Sequence, residues 1–211
     1  MRNSLFEESQ LASIPCFTKQ NLKIYFGGKV DALNERLKRG VKKGDLLKLK
    51  NGLYVTRVYF LKETDKTSFK EYVASRLRFP SYLSMEYVLS KYELLTEATY
   101  IITSVTTKTS RTYSNFLGTY KYSKVKDQLY FGFETVKFYK NQYFIATKAK
   151  ALFDMLYLKR NLLITEEEIM SGLRINWENF FKDDLDKFKE YVTLSGSNKM
   201  KAILKILEGN L

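Results

Sequence analysis

The chain contains no histidine, one cysteine (Cys16), two prolines and one tryptophan in 211 residues. Without histidine there is no Ser-His-Asp or Cys-His nucleophilic triad, no His general base and no His-ligated metal. A lone cysteine excludes an internal disulfide, a four-Cys zinc site and a CxxC redox pair, and it fits a reduced, cytoplasmic setting. No run approaches the ~18 apolar residues of a membrane span. The most apolar stretch, residues 151–158, contains Asp154. The first residues carry acids and polar side chains where a secretory signal needs an apolar run, so neither signal peptide nor membrane partner is expected. Apart from Gly27-Gly28 the glycines are isolated, and neither GxxxxGK[ST] nor GxGxxG occurs, so no phosphate loop is visible.

What the chain has is positive charge: 36 Lys and Arg against 23 Asp and Glu, a formal net charge of +13. With 45 % apolar residues it can also build a core. The charge favours a polyanionic partner, most simply nucleic acid rather than the runner-up, an anionic membrane surface. It is unevenly spread, since residues 1–57 hold 12 basic and 5 acidic side chains. Seven bases (Arg36, Lys38, Arg39, Lys42, Lys43, Lys48 and Lys50) fall within 36–50, with Asp45 as the one acid. A second stretch, Thr99 to Lys126, has no acid and carries Lys108, Arg111, Lys121, Lys124 and Lys126 as a second basic surface.

Local pattern gives the first cluster a shape. Val30, Leu33, Leu37 and Val41 recur at helical spacing, with Asp31, Glu35, Lys38, Arg39 and Lys42 opposite. Gly40 and Gly44 mark the end region of this helix. In LLKLKNGLYV, residues 46–55, Leu47, Leu49, Leu53 and Val55 alternate with Lys48 and Lys50 around Asn51-Gly52. That pattern predicts a hairpin with a type I′ turn, which needs positive φ at both central residues. Upstream, Thr18 caps a predicted short helix, 19–26, with Leu22 and Tyr25 or Phe26 inward, and residues 3–12 form a first helix. Helix, short helix, basic helix and basic hairpin are the order of a winged helix-turn-helix domain, whose third helix enters the major groove. On that reading Lys42, Lys43, Lys48 and Lys50 meet phosphates, with Arg36 and Asn51 in the same cluster. Asn34, Lys38 and Arg39 are the candidates for base edges, and Glu35 either accepts from cytosine N4 or, the commoner case, orients Arg39 as an i,i+4 pair.

Residues 57–70 turn from apolar to polar and read as a connection. The division expected is 1–57 DNA-binding domain, 58–68 linker and 69–211 larger domain. A helix at 69–79 stops at Pro80, and Ser84 caps another through Leu95. Strands follow at 99–106, 118–125, 128–133, 134–139 and 143–147, with Asn141-Gln142 as a turn. Thr147 caps a helix at 148–160, and Thr165 with Glu168 makes a capping box. Two more helices are expected at 178–192 and 197–208, the last with Met200, Ile203, Leu204 and Leu207 as its apolar stripe. The class is α+β: an N-terminal winged helix-turn-helix domain followed by a larger mixed α+β domain.

No catalytic residue, metal or cofactor is assigned. Asp127, Glu134 and Lys137 come closest to a nuclease cluster, but their spacing suits sheet-surface charges. Glu166, Glu167 and Glu168 suit a helix's first turn, and Asp183, Asp184 and Asp186 a solvated helix face. The hydroxyl-rich run Thr103–Ser114 reads either as a β-hairpin with a polar tip or as a phosphate-binding face. Tyr82, Tyr87, Tyr92 and Tyr100 read as core.

GDLLKLKNGLYV, then ASRLRFPSYLSMEYVLSKYELLTEATYIITSVTTKTSRTY, LGTYKYSKVK, LYFGF and IATKAKALFDMLYL follow one another in an order and spacing that carry a family likeness. Over residues 18–160 the chain resembles the AbiEi-type antitoxins of type IV toxin–antitoxin systems, which act in phage abortive infection. The densest stretch is Pro80-Ser81-Tyr82-Leu83-Ser84 with Tyr87, Leu89 and Ser90, then Thr103-Ser104-Val105-Thr106. The resemblance implies a winged helix that binds inverted repeats in its own operator and represses transcription. It implies a larger domain that assists DNA binding and counteracts a nucleotidyltransferase toxin without needing a stable complex. Where the family's helix begins with Pro and Glu before Lys-Ala, this chain has Lys148-Ala149-Lys150-Ala151. That adds positive charge at a helix N-terminus, where Lys is mildly unfavourable. Two other readings stay open: a plain winged-helix regulator with a ligand-sensing or oligomerising C-terminal domain, and a metal-dependent nuclease.

Overall fold

The structure is a computed structural model that describes residues 10–97 and 99–211. It is mixed α+β and divides into two compact units, the first running through Val73 and including 115–117, the second holding the rest. The predicted helix at 3–12 lies mostly outside the described residues; Gln10–Ser13 is a single 3-10 turn with Leu11 buried.

In the first unit, β1 (Phe17–Thr18) leads into α1 (Lys19–Phe26), α2 (Val30–Lys43), β2 (Leu46–Lys50) and β3 (Leu53–Thr56). The three strands form one sheet in the order β1-β3-β2. Thr18 starts α1 through a capping box: its hydroxyl accepts from the Asn21 amide, and the Asn21 side chain accepts from the Thr18 amide at 2.8 Å. α2 ends at Gly44, whose φ of 79° is the left-handed cap that glycine tolerates best. Leu33 and Leu37 of α2 pack with Leu11, Phe17, Leu22 and Leu46, while Val30 at the start of the predicted stripe is exposed.

The hairpin departs from the simple alternation. Of its two turn residues only Gly52 has positive φ, so the turn is not type I′. The register shifts between Lys48 and Lys50. This irregularity lets both Leu46 and Leu49 turn inward and leaves Leu47 half-buried.

The stretch read as a connection is helical. It forms α3 (Arg57–Lys62) and the start of α4 (Lys66–Leu77), and the division between units falls inside α4. Its polar residues misled because they are satisfied locally. Thr56 caps α3 at the Tyr59 amide, and buried Glu63 accepts from the Tyr59 hydroxyl and the Asp65 amide. Tyr59 and Phe60 meanwhile pack their rings on Phe69.

The second unit is a six-stranded mixed sheet in the order β6-β7-β5-β4-β9-β8. Its strands are β4 (Ser81–Leu83), β5 (Ile101–Thr106), β6 (Arg111–Asn115), β7 (Gly118–Lys124), β8 (Phe133–Phe138) and β9 (Asn141–Ala146). β5 runs parallel to β7 and β4 parallel to β9. Thr103–Ser114 is therefore not a hairpin: β5 pairs with β7, and β6 lies on the far edge of β7. The segment 128–133 is a 3-10 turn and an irregular link before β8, not a strand of its own. The turn between β8 and β9 is Tyr139-Lys140, because Phe138 pairs with Asn141; Asn141 and Gln142 open β9.

The helices of this unit are α5 (Glu86–Lys91), α6 (Lys148–Leu158), α7 (Lys182–Ser195) and α8 (Asn198–Asn210). Thr147 caps α6 as its sequence requires, and Met200, Ile203, Leu204 and Leu207 of α8 are buried. α7 begins later than the pattern suggested, after a 3-10 turn at Trp177–Asn179. Ser84 caps nothing: it is buried, and α5 starts after Met85, which has a positive φ of 59°. Tyr82 is core as expected, whereas Tyr100 is 93 % exposed. α6 is buried from Ala149 through Leu156, as befits a central helix with neighbours on several sides.

Candidate nucleic-acid interface and a buried polar centre

In the first unit, Asn34, Lys38 and Lys42 follow one another at i, i+4 and i+8 and so form one strip along α2. The strip faces Lys48 and Tyr54 of the hairpin across a groove of about 450 Å³, with Leu37 and Val41 at its base. Residues one position on, Arg39 and Lys43, lie roughly 100° further round the helix. Both are exposed, as is Asn51 at the hairpin tip, while Lys50 is half-buried. Arg36 is partly committed to packing, its guanidinium lying 4.7 Å from the centre of the Phe26 ring. Glu35 pairs with Lys38 at 2.8 Å rather than with Arg39, which reaches only the Glu35 carbonyl at 3.4 Å. The Lys38 ammonium holds the Glu35 carboxyl below its ordinary value, and Glu35 in turn raises Lys38.

The five bases of the second stretch do not share one face. Lys121 and Lys124 are three apart on β7 and so point to opposite sides of the sheet. Lys124 and Lys126 line an open groove of about 660 Å³ with Thr109, Ser110, Tyr157 and Arg160. Arg160 was not singled out in the sequence, because it lies far along the chain from the basic stretch. Lys121 lines a different cavity, Lys108 is exposed beyond β5, and Arg111 lies over the Tyr113 ring.

The larger unit also holds a charged centre with no access to solvent. Lys150 and Asp154 are both fully buried, with Lys150 Nζ donating to Asp154 Oδ1 at 2.8 Å. The hydroxyls of Tyr82 and Ser84 each donate to Asp154 Oδ2 at 2.8 Å. The Lys150 ammonium lies 4.8 Å from the Phe153 ring centre and 5.5 Å from those of Phe131 and Tyr191. Gly132 closes the site: a Cβ there would come within 3.1 Å of the Lys150 stem. Lys150 is thus not a charge on an exposed helix end, as the sequence suggested. Burial pushes the Asp154 carboxyl above its ordinary value, against the pull of Lys150 and the two hydroxyls. Burial and the adjacent carboxylate drive the Tyr82 hydroxyl far up as well. The centre can hold a backbone in place, but no substrate can reach it. The i,i+4 spacing of Lys150 and Asp154 was the one signal of it in the sequence.

Among the described residues no group of three or more Cys, Asp and Glu is gathered to hold a metal ion, and no helix is long and apolar enough to cross a membrane. Asp184 of the acidic run is engaged by Lys148 at 2.9 Å. Set against known proteins, the chain matches no family model and no curated protein sequence.

Proposed function

We propose that the first unit is a winged helix-turn-helix DNA-binding module and that the chain is a transcriptional autorepressor and antitoxin of a type IV toxin–antitoxin system. The observation that carries the DNA-binding reading is the groove bounded by Asn34, Lys38 and Lys42 on α2 and Lys48 on the hairpin. Further support is the strand order β1-β3-β2, with two helices inserted between β1 and β2. On this reading α2 enters the major groove and the β2–β3 hairpin is the wing. Lys42, Lys43, Lys48 and Lys50 neutralise phosphates, and Asn34, Lys38 and Arg39 reach base edges of an inverted repeat. The antitoxin half of the proposal is supported by the sequence resemblance across residues 18–160, with a nucleotidyltransferase as the toxin counteracted.

The full chain titrated against its own upstream DNA tests the first half. With four to six phosphate contacts, log affinity falls against log salt with a slope of roughly −4 to −5. A flat salt response defeats the DNA-binding reading. Co-expression with a neighbouring nucleotidyltransferase gene tests the second half, with growth rescue as the expected outcome and continued toxicity as the defeating one.

A further inference from the structure

Three uncommon backbone features meet at one cavity of the larger unit. Among the described residues four non-glycines have positive φ, and two of them, Met85 at 59° and Arg174 at 53°, line this cavity. The third feature is a π-helical turn, Glu168–Gly172, whose last residue is in the wall. Such conformations are unfavourable by themselves and persist where surrounding contacts enforce them, which is common at ligand sites.

Here the enforcing contacts are visible. Ser84, next to Met85, is clamped three times: its hydroxyl donates to Asp154, its amide donates to the Thr103 carbonyl at 3.1 Å, and its carbonyl accepts from Thr103 Oγ1 at 2.6 Å. Thr103 Oγ1 also accepts from the Tyr87 amide at 3.1 Å. Asp154 adjoins Met155, another wall residue. At the end of α6, Lys199 donates to the carbonyls of Leu156 and Lys159 at 2.6 and 2.5 Å and so fixes the last turn. The buried Lys150–Asp154 pair thus acts as a brace for one wall, which gives it a role that an apolar pair could not fill.

The cavity measures about 420 Å³, within the usual range of about 300–1,000 Å³ for small-molecule sites. Leu95, Leu158 and Leu173 give it apolar walls, and Lys121, Lys159 and Glu86 give it charge. Arg174 is committed to Glu97 at 2.8 Å. Lys121 and Lys159 make no ion pair among the described residues. Burial, with a lesser push from Lys159, holds the Lys199 ammonium below its ordinary value. Two free cations favour a doubly negative group. A bare anion would leave the apolar walls uncovered, and a fatty acid would bury the Glu86 carboxylate against nothing that donates to it.

We propose that this cavity binds a single nucleoside phosphate. The phosphate meets Lys121 and Lys159, with Ser123 donating to it. The base lies on Leu95, Leu158 and Leu173, and Glu86 accepts from an amino or hydroxyl group of the nucleoside. The site shares no residue with the α2 groove, and its occupancy is measured without DNA.

The test is calorimetric titration of the full-length protein with AMP, GMP, CMP and UMP. The tightest is then compared with its own nucleoside and with inorganic phosphate. The nucleotide should bind at least about tenfold more tightly than either fragment, since each fragment lacks one set of contacts. The double variant Lys121→Ala/Lys159→Ala, with both side chains exposed and its fold checked by circular dichroism, should weaken binding by about tenfold or more. Lys124→Ala/Lys126→Ala, in the other basic groove, should leave it unchanged. Absence of binding by all four nucleotides at millimolar concentration overturns the proposal. So does inorganic phosphate binding as tightly as the nucleotide, or wild-type binding by the Lys121/Lys159 variant.

Discussion

Two lysine–carboxylate pairs, one on α2 and one on α6, close at the same 2.8 Å. Lys38 and Glu35 are 74 % and 56 % exposed, whereas Lys150 and Asp154 are both at 0 %. Their surroundings move the two carboxyls in opposite directions. Glu35 stays hydrated, so its lysine partner dominates and lowers it, while burial outweighs every favourable contact at Asp154 and raises it. The sign of the linkage follows. A lowered carboxyl contributes stability that is lost as pH falls through its folded value, whereas a raised one costs stability as pH climbs past its unfolded value. An exposed pair adds little to stability because water and salt screen it, and its lysine stays available to an outside anion. A buried pair is closed to partners, and its worth lies in what it holds. Distance alone therefore says little about a lysine; its solvent contact decides whether it serves the fold or a ligand.

The sharpest break of that comparison is on the buried side. Asp154→Leu leaves an ammonium in an apolar centre and should cost about 3–5 kcal/mol in urea unfolding. Adding Lys150→Met should recover part of that loss, but not all, because the Tyr82 and Ser84 hydroxyls then lack an acceptor. Equal losses in the single and double variants would mean that the stranded charge is not the problem.

A smaller effect is expected at the wall of the same centre. Gly132 sits at φ 78°, where a side chain is strained, and its Cβ would meet the Tyr191 hydroxyl at 2.8 Å. Gly132→Ala should therefore lower stability by roughly 1–3 kcal/mol in thermal or urea unfolding. A neutral outcome would show that the packing around Lys150 is loose.

The smallest stability change belongs to the exposed side. Lys38→Ala, Lys42→Ala and Lys48→Ala should each leave the urea unfolding midpoint nearly unchanged, as surface substitutions do. Combined, they should reduce the magnitude of the salt slope of DNA binding by about 0.9 for each phosphate no longer neutralised. If the triple variant melts like Asp154→Leu, these lysines hold the fold and the contrast between the two helices collapses.

What was legible in the sequence is what short-range physics decides. Thr18 and Thr147 start their helices because a cap needs only a hydroxyl and an amide three residues on. Leu33 and Leu37, and the stripe from Met200 to Leu207, are buried because helical spacing gathers them on one face. The charge asymmetry, and with it the candidate strip on α2, is likewise written in the residue order. Only the tertiary structure decided the rest. That β5 joins β7 in parallel, and that the three residues of β4 lie inside a sheet, depend on partners distant along the chain, which no local pattern names. Lys150 became a brace because Tyr82, Phe131 and Tyr191 were brought around it from three distant places in the chain, beside Phe153 of its own helix. A residue's type sets the charge it carries, and the desolvation that fixes the meaning of that charge exists only once the chain has folded.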